Sequence, residues 1–218
     1  MKKIIKNNSL SIVFMVLFIV TLTAQVYFGH QEYNKELLEI GGYAVSLSQY
    51  FMSGHFVEST FENWESEFLQ MALFVVLTIF LKQKGSSESK KFDGTDEVDK
   101  QPDPTKKDAP WPVRKEGFIL KVYKHSLSIA LMLLFIISFV LHFYGSLADE
   151  NTQNKLKGEA LTSAGKYITD SRFWFESFQN WQSEFLSVFA IVALSIYLRQ
   201  QGSPQSKPVD APHAETGE

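Results

Sequence analysis

The chain is 218 residues long, with 21 lysines and arginines against 24 aspartates and glutamates and no cysteine. With no basic excess there is no electrostatic footprint for nucleic acid, and with no cysteine there is no disulfide, thiolate metal site or thiol nucleophile. The mean hydropathy of -0.07 averages over apolar and strongly polar blocks that alternate along the chain.

Lys2, Lys3 and Lys6 precede the apolar run 10–28, LSIVFMVLFIVTLTAQVYF. At about 1.5 Å per residue such a run approaches the roughly 30 Å of a hydrocarbon core. It reads as a retained span rather than a signal peptide, because Leu22 stands where cleavage after Ala24 wants a small residue. A related apolar run at 127–144 lies in mid-chain, where no signal peptide is found. Between the first span and the next, residues 33–40 suit a helical turn or two, broken at Gly41 and Gly42. Residues 43–52 are amphipathic and suit a short helix on an outer face. A helix restart is expected near Glu58 or Ser59, with Ser53, or Ser171 in the second half, as a cap. The runs 68–81 and 185–198 are short, but counted from Trp64 and Trp181 each gives a helix of about 27 Å.

An internal repeat organises the chain. Phe61-Glu62-Asn63-Trp64-Glu65-Ser66-Glu67-Phe68-Leu69 returns 117 residues later as Phe178-Gln179-Asn180-Trp181-Gln182-Ser183-Glu184-Phe185-Leu186. The match runs without gaps, and Ser9-Leu10-Ser11-Ile12 overlays Ser126-Leu127-Ser128-Ile129 at the same shift. The expected fold class is therefore all-α: a four-transmembrane-helix bundle of two parallel helical-hairpin repeats with short outer-face helices. The first repeat is 1–85, with spans at about 10–28 and 64–82; the second is 118–202, with spans at about 126–144 and 181–199. The stretch 86–117 reads as a flexible cytoplasmic linker and 203–218 as a disordered tail, since neither can bury a core. Lysine and arginine crowd the N-terminus, linker and tail, which points both termini into the cytoplasm of a bacterial inner membrane.

Candidate site residues follow from the repeat. Asn63 and Glu67 share a helix face, as do Asn180 and Glu184, so the carboxylates form a candidate polar or ion-handling pair. The plainer reading is a wet helix end at an interface. Phe61, Trp64 and Phe68, with Phe178, Trp181 and Phe185, make an interfacial aromatic collar. His55, Glu58 and Glu62 also share a helix face, but the second copy has Arg172, Phe175 and Gln179 there. Too few ligands remain for a metal, and a polar stripe is the simpler account. His30 and His142 are not repeat-equivalent and offer no haem pair. No cofactor is expected.

The string from Ser53 to Gln70, SGHFVESTFENWESEFLQ, resembles the signature of an uncharacterised family of small bacterial four-helix integral membrane proteins, known only as a domain of unknown function. The likeness spans nearly all the chain outside the linker and tail. It implies no activity, cofactor or partner. The function expected from the residues is a non-enzymatic membrane protein acting through assembly or interaction, with the bilayer and a second copy or a membrane protein as partners. A small ion or proton transporter or channel, using Glu67 and Glu184, is the other reading.

Overall fold

The computed structural model describes residues 2–94 and 96–217; Met1, Thr95, Glu218 and the side chains of Lys2 and Lys3, part of the basic N-terminal flank, lie outside the described residues. Among the described residues the helices are α1 (Lys2–Asn7), α2 (Ser9–Glu39), α3 (Leu47–Tyr50), α4 (Gly54–Phe80), α5 (Trp111–Lys115), α6 (Gly117–Lys124), α7 (Ser126–Lys157), α8 (Ala164–Tyr167) and α9 (Ser171–Tyr197), with one 3-10 turn at Glu97–Asp99. Two compact units form, and each draws on both sequence copies. The first is Met1–Phe61 with Val140–Phe173, and the second is Glu62–Phe139 with Trp174–Glu218.

The first unit is built by matching local devices. Helix α2 stops at Gly41, whose φ of 81° suits glycine. The N–H of Gly42 then bonds Leu37 O (2.7 Å) and that of Gly41 bonds Leu38 O (3.2 Å), the paired closure of a Schellman end. Helix α7 ends the same way at Gly158, with Glu159 N–H on Asn154 O (2.8 Å) and Gly158 N–H on Lys155 O (3.3 Å). Each following loop is clamped by one asparagine. Asn34 Oδ1 accepts from Val45 N–H (2.6 Å) while its Nδ2 donates to Val45 O (3.1 Å). Asn151 holds Thr162 in the same way, at 2.7 and 3.0 Å. Ser46 caps α3 in a capping box with Gln49. Its counterpart Ser163 precedes α8 without a side-chain cap, and Lys166 stands where the box has Gln49. Tyr50 and Tyr167 close the two short helices and are both buried.

Tyr33, Leu37 and Tyr50 pack together in this unit with Val45 and Phe56 against them, and Tyr167 and Phe173 are buried beside each other. Each asparagine clamp holds the loop that leads to one of the buried tyrosines, so its loss should be felt. Asn34→Ala and Asn151→Ala are each expected to lower stability by about 1–2 kcal/mol, read as a shift in the urea midpoint at constant slope. An unchanged midpoint in both would mean that the loops hold without the clamps.

In the second unit, the end of α4 and the end of α9 also match. Ser89 Oγ accepts from Gln83 N–H and Ser206 Oγ from Gln200 N–H, both at 2.9 Å. Ser86 Oγ meets Ser195 Oγ at 2.9 Å. Segment 207–217 lies along these ends: Thr216 Oγ1 accepts from Gly85 N–H (2.9 Å), and the buried Lys207 ammonium donates to the carbonyls of Pro212, His213 and Glu215.

The four-span bundle of two parallel hairpin repeats is not what these helices make. Among the described residues only α2 and α7 are long and apolar enough to cross a membrane. One or two such helices are weak evidence, since a core helix or an N-terminal signal sequence has the same length and composition. Helices α4 and α9 fall short because charge continues into them, with Glu58, Glu62, Glu65 and Glu67 on one and Arg172, Glu176 and Glu184 on the other. What is buried is often polar, including Glu58, Glu65, Asp149 and Lys207. The membrane readings that hung on the four spans fall with them. These are the bilayer and a membrane protein as partners, the multi-pass inner-membrane location with cytoplasmic termini, assembly within the membrane, and the transporter or channel.

Candidate functional site

The densest chemistry in the first unit gathers on Arg172, at the start of α9. Asp170 Oδ1 accepts from Arg172 N–H (2.8 Å) and fixes the first turn. The guanidinium then reaches three carboxylates. Its Nη2 donates to Glu58 Oε1 (3.0 Å) and lies 3.6 Å from Asp149 Oδ2, and its Nη1 donates to Glu150 Oε2 (3.0 Å). Glu58 comes from the second turn of α4, and Asp149 and Glu150 from α7. The two helices come this close because both are glycine at the crossing. A Cβ on Gly54 would lie 2.3 Å from Asp149 N, and one on Gly145 would lie 2.6 Å from Glu58 N.

Glu58 and Asp149 are buried, while Arg172 and Glu150 are partly exposed. Asp149 Oδ2 also accepts from Gln153 Nε2 (2.8 Å), but its buried Oδ1 has no hydrogen-bond partner. Ionised, the three carboxylates and one guanidinium sum to two negative charges. Burying such a surplus is costly unless something positive offsets it.

Aromatic rings stand beside this cluster. Tyr33 packs on His55, centroids 4.9 Å apart, and His55 Nε2 lies 3.9 Å from Glu36. Burial, then the charges of Asp149 and Glu36 and contact with Tyr50, push the Tyr33 phenol up to about 12. Burial also raises Tyr50. Tyr33 and Leu37 form part of a recess of about 620 Å3, with Tyr43, Ala148, Leu156 and Leu161 around it. Lys155 stands on its rim, exposed to water.

The residues singled out from sequence are placed as follows. Glu58 joins Arg172, whereas His55 turns to Glu36 and Tyr33, so the two take different partners; Glu62 belongs to the other unit. His30 Nε2 donates to Val45 O (2.7 Å), and the buried His142 ring lies against Phe173. In the second unit, Glu184 is held above the ordinary carboxylate range, by burial first and by the charge of Glu67 second. Glu67 itself is exposed. The fully buried carboxylate is Glu65, which accepts from Trp181 Nε1 at 2.8 Å. Asn180 Nδ2 bonds the Glu176 carbonyl of its own helix, and the Asn63 carbonyl takes the Ser66 hydroxyl. Of the collar, Phe178 packs between Trp174 and Trp181, Phe178 and Phe185 are exposed, and Phe61, Trp64 and Phe68 are half-buried.

Glu184 yields a pH prediction. A carboxyl raised in the folded state binds its proton more tightly folded than unfolded. Its contribution favours the fold at low pH and is lost as pH rises through the folded value. Glu184→Gln should therefore stabilise at neutral pH, by under about 1 kcal/mol, with the gain fading towards pH 4. Urea midpoints across that range check it; a loss of stability at neutral pH would contradict the burial of this group beside Glu67.

A family described as "Domain of unknown function (DUF6766)" matches residues 1–218. The chain belongs to this family. The family is an uncharacterised domain, and the one expected from the Ser53–Gln70 string, of small four-helix integral membrane proteins, is corrected, for neither the family nor the helices support a four-helix membrane bundle. No curated protein and no solved structure matches the chain.

Proposed function

We propose that this DUF6766 chain is a non-enzymatic binding domain whose recess over Tyr33 takes a small organic cation with an apolar body. The observation behind the reading is the convergence of three carboxylates on one guanidinium, with Asp149 Oδ1 buried and unbonded. The recess is of ligand size and mostly apolar, with Lys155 on its rim, and the charges of Asp149 and Glu36 act on Tyr33 in its lining. Tyr33 and Tyr43 are among its lining residues, and an aromatic ring is a partner for an ammonium group. Nearby, Arg172 clamps its carboxylates, His30 holds the Val45 carbonyl and His55 lies against Tyr33 and Glu36.

Calorimetric titration with benzyltrimethylammonium tests it, with benzenesulfonate as the anionic control. The cation should bind and the anion should not. Asp149→Asn should weaken binding about tenfold, equivalent to about 1.4 kcal/mol. Tyr43→Ala, at an exposed rim position, should weaken it without loss of folding. Equal binding of cation and anion, or no heat with the cation at millimolar concentration, would remove the reading.

A further inference from the structure

One loop occurs twice in the second unit, at the ends of α4 and α9. Residues 81–90, LKQKGSSESK, return 117 positions later as LRQQGSPQSK at 198–207, with the leucine, glutamine, glycine, two serines and final lysine retained. The bonds repeat with them. Gly85 and Gly202 turn at φ 86° and 84°. Ser86 N–H bonds Gln83 O (3.3 Å) and Ser203 N–H bonds Gln200 O (3.2 Å). Glu88 N–H then bonds Ser86 Oγ (3.1 Å), and Gln205 N–H bonds Ser203 Oγ (3.2 Å). Each loop delivers a lysine at the same place, Lys90 in the first and Lys207 in the second.

Each lysine ties down the segment that follows it, on different terms. Lys90 Nζ meets both oxygens of Asp99, at 2.9 and 3.1 Å, and that carboxylate is open to water. Lys207 is 2% exposed and donates instead to three main-chain carbonyls, those of Pro212 (3.2 Å), His213 (3.1 Å) and Glu215 (2.8 Å). Burial holds this ammonium below the ordinary lysine range; the charge of Arg199 adds to the effect and that of Glu215 opposes it.

The segment so gathered, 207–217, has no helix, and its apolar side chains are exposed or half-buried, with Val209 at 62%. Little apolar burial holds it in place. Polar contacts with the helix ends do. Arg199 Nε donates to Pro208 O (3.2 Å) and its Nη2 to Ala211 O (3.1 Å). Gly217 N–H donates to Ser86 O (3.0 Å), and Gly85 N–H donates to Thr216 Oγ1 (2.9 Å). The fit is close: a Cβ on Gly85 would lie 2.4 Å from His213 O. Three carbonyls of the segment converge on one ammonium, so loss of that group strands all three at once.

We propose that residues 207–217 form a releasable strap over the ends of α4 and α9, latched shut by the Lys207 ammonium and opening as one piece when the latch is lost. Opening uncovers the Gly85 N–H and the Ser86 carbonyl, a short backbone edge beyond the end of α4, and leaves the helices folded.

Thiol labelling of the full chain with a chromogenic aromatic disulfide tests it, and the absence of native cysteine makes every signal that of the probe. Thr216→Cys reports the closed strap, because Thr216 is buried; Val209→Cys gives the rate of an open position; Ala72→Cys, fully buried on α4, reports the helices. Thr216→Cys should react about tenfold more slowly than Val209→Cys, or slower still. Adding Lys207→Met should bring the two rates within about twofold while Ala72→Cys stays protected. Adding Lys90→Met instead should leave Thr216→Cys protected. The proposal is overturned if Thr216→Cys reacts as fast as Val209→Cys with Lys207 intact, if its protection survives Lys207→Met, or if Lys90→Met removes that protection equally. Ala72→Cys and Thr216→Cys becoming reactive together in Lys207→Met would overturn it too, and would make Lys207 a support of the whole unit.

Discussion

Gly145→Ala should lower stability by about 2–3 kcal/mol, and Gly54→Ala by a similar amount. Helix propensity alone predicts the opposite for Gly145, since alanine is favoured over glycine inside a helix by about 1 kcal/mol. The sign of the effect is therefore diagnostic. An added Cβ at Gly145 would lie 2.6 Å from Glu58 N and 3.0 Å from Val57 C, and one at Gly54 would lie 2.5 Å from Gly145 O. These neighbours are backbone, so no side chain can swing aside. The helices must separate, and that in turn moves Glu58 away from Arg172. For a chain of this size the loss corresponds to a fall in melting temperature of about 2–4 °C per kcal/mol. A Gly145→Ala variant that melts above the wild type would show that α4 and α7 are not in backbone contact at this point.

Arg172→Met should be the costliest single side-chain change, at about 3 kcal/mol. The methionine keeps much of the length and removes the charge, leaving Glu58, Asp149 and Glu150 to face one another. The partial exposure of Arg172 and Glu150 admits water and keeps the loss near the lower end of the range for a broken buried pair. Arg172→Lys should recover only part of the stability, because an ammonium cannot present the fork that meets Glu58 and Glu150 from two nitrogens. A double-mutant cycle with Glu58→Gln isolates one arm, and a coupling of about 1 kcal/mol or more is expected. Zero coupling would mean that the 3.0 Å contact does not form in solution.

How much of this was legible in the sequence depends on what the two copies share. In the outer segments the identities at the 117-residue shift are few. They include Asn34 with Asn151, Gly41 with Gly158, Ser46 with Ser163 and Tyr50 with Tyr167. Each is structural: a loop clamp, a helix stop, a residue ahead of a short helix, a buried ring. Reading those identities as bonding positions would have located the loops. The Arg172 cluster was hidden for the opposite reason. Its members sit where the copies differ: Arg172 answers to His55, Glu58 to Phe175, Asp149 to Glu32 and Glu150 to Tyr33. Glu58 stood out beside His55 and Glu62, but repetition does not join it to Arg172, Asp149 and Glu150, and it leads instead to Glu67 and Glu184, which the copies share. Glu65 was missed likewise, since its counterpart is Gln182, although it is Glu65 that holds Trp181. The four-span expectation went astray because apolar runs were extended through Trp64 and Trp181 into turns that hold carboxylates.

The asparagine clamps also act as rulers. Each ties one side chain to both polar groups of a residue eleven positions later, across ten intervening residues. Between those ends the two copies agree at little besides the glycine, yet the spacing is identical. Composition in these loops is therefore free to drift, while their length is not. A one-residue insertion after Gly41 or Gly158 puts the wrong peptide group opposite the asparagine, so tags and grafted sequences belong elsewhere in the chain.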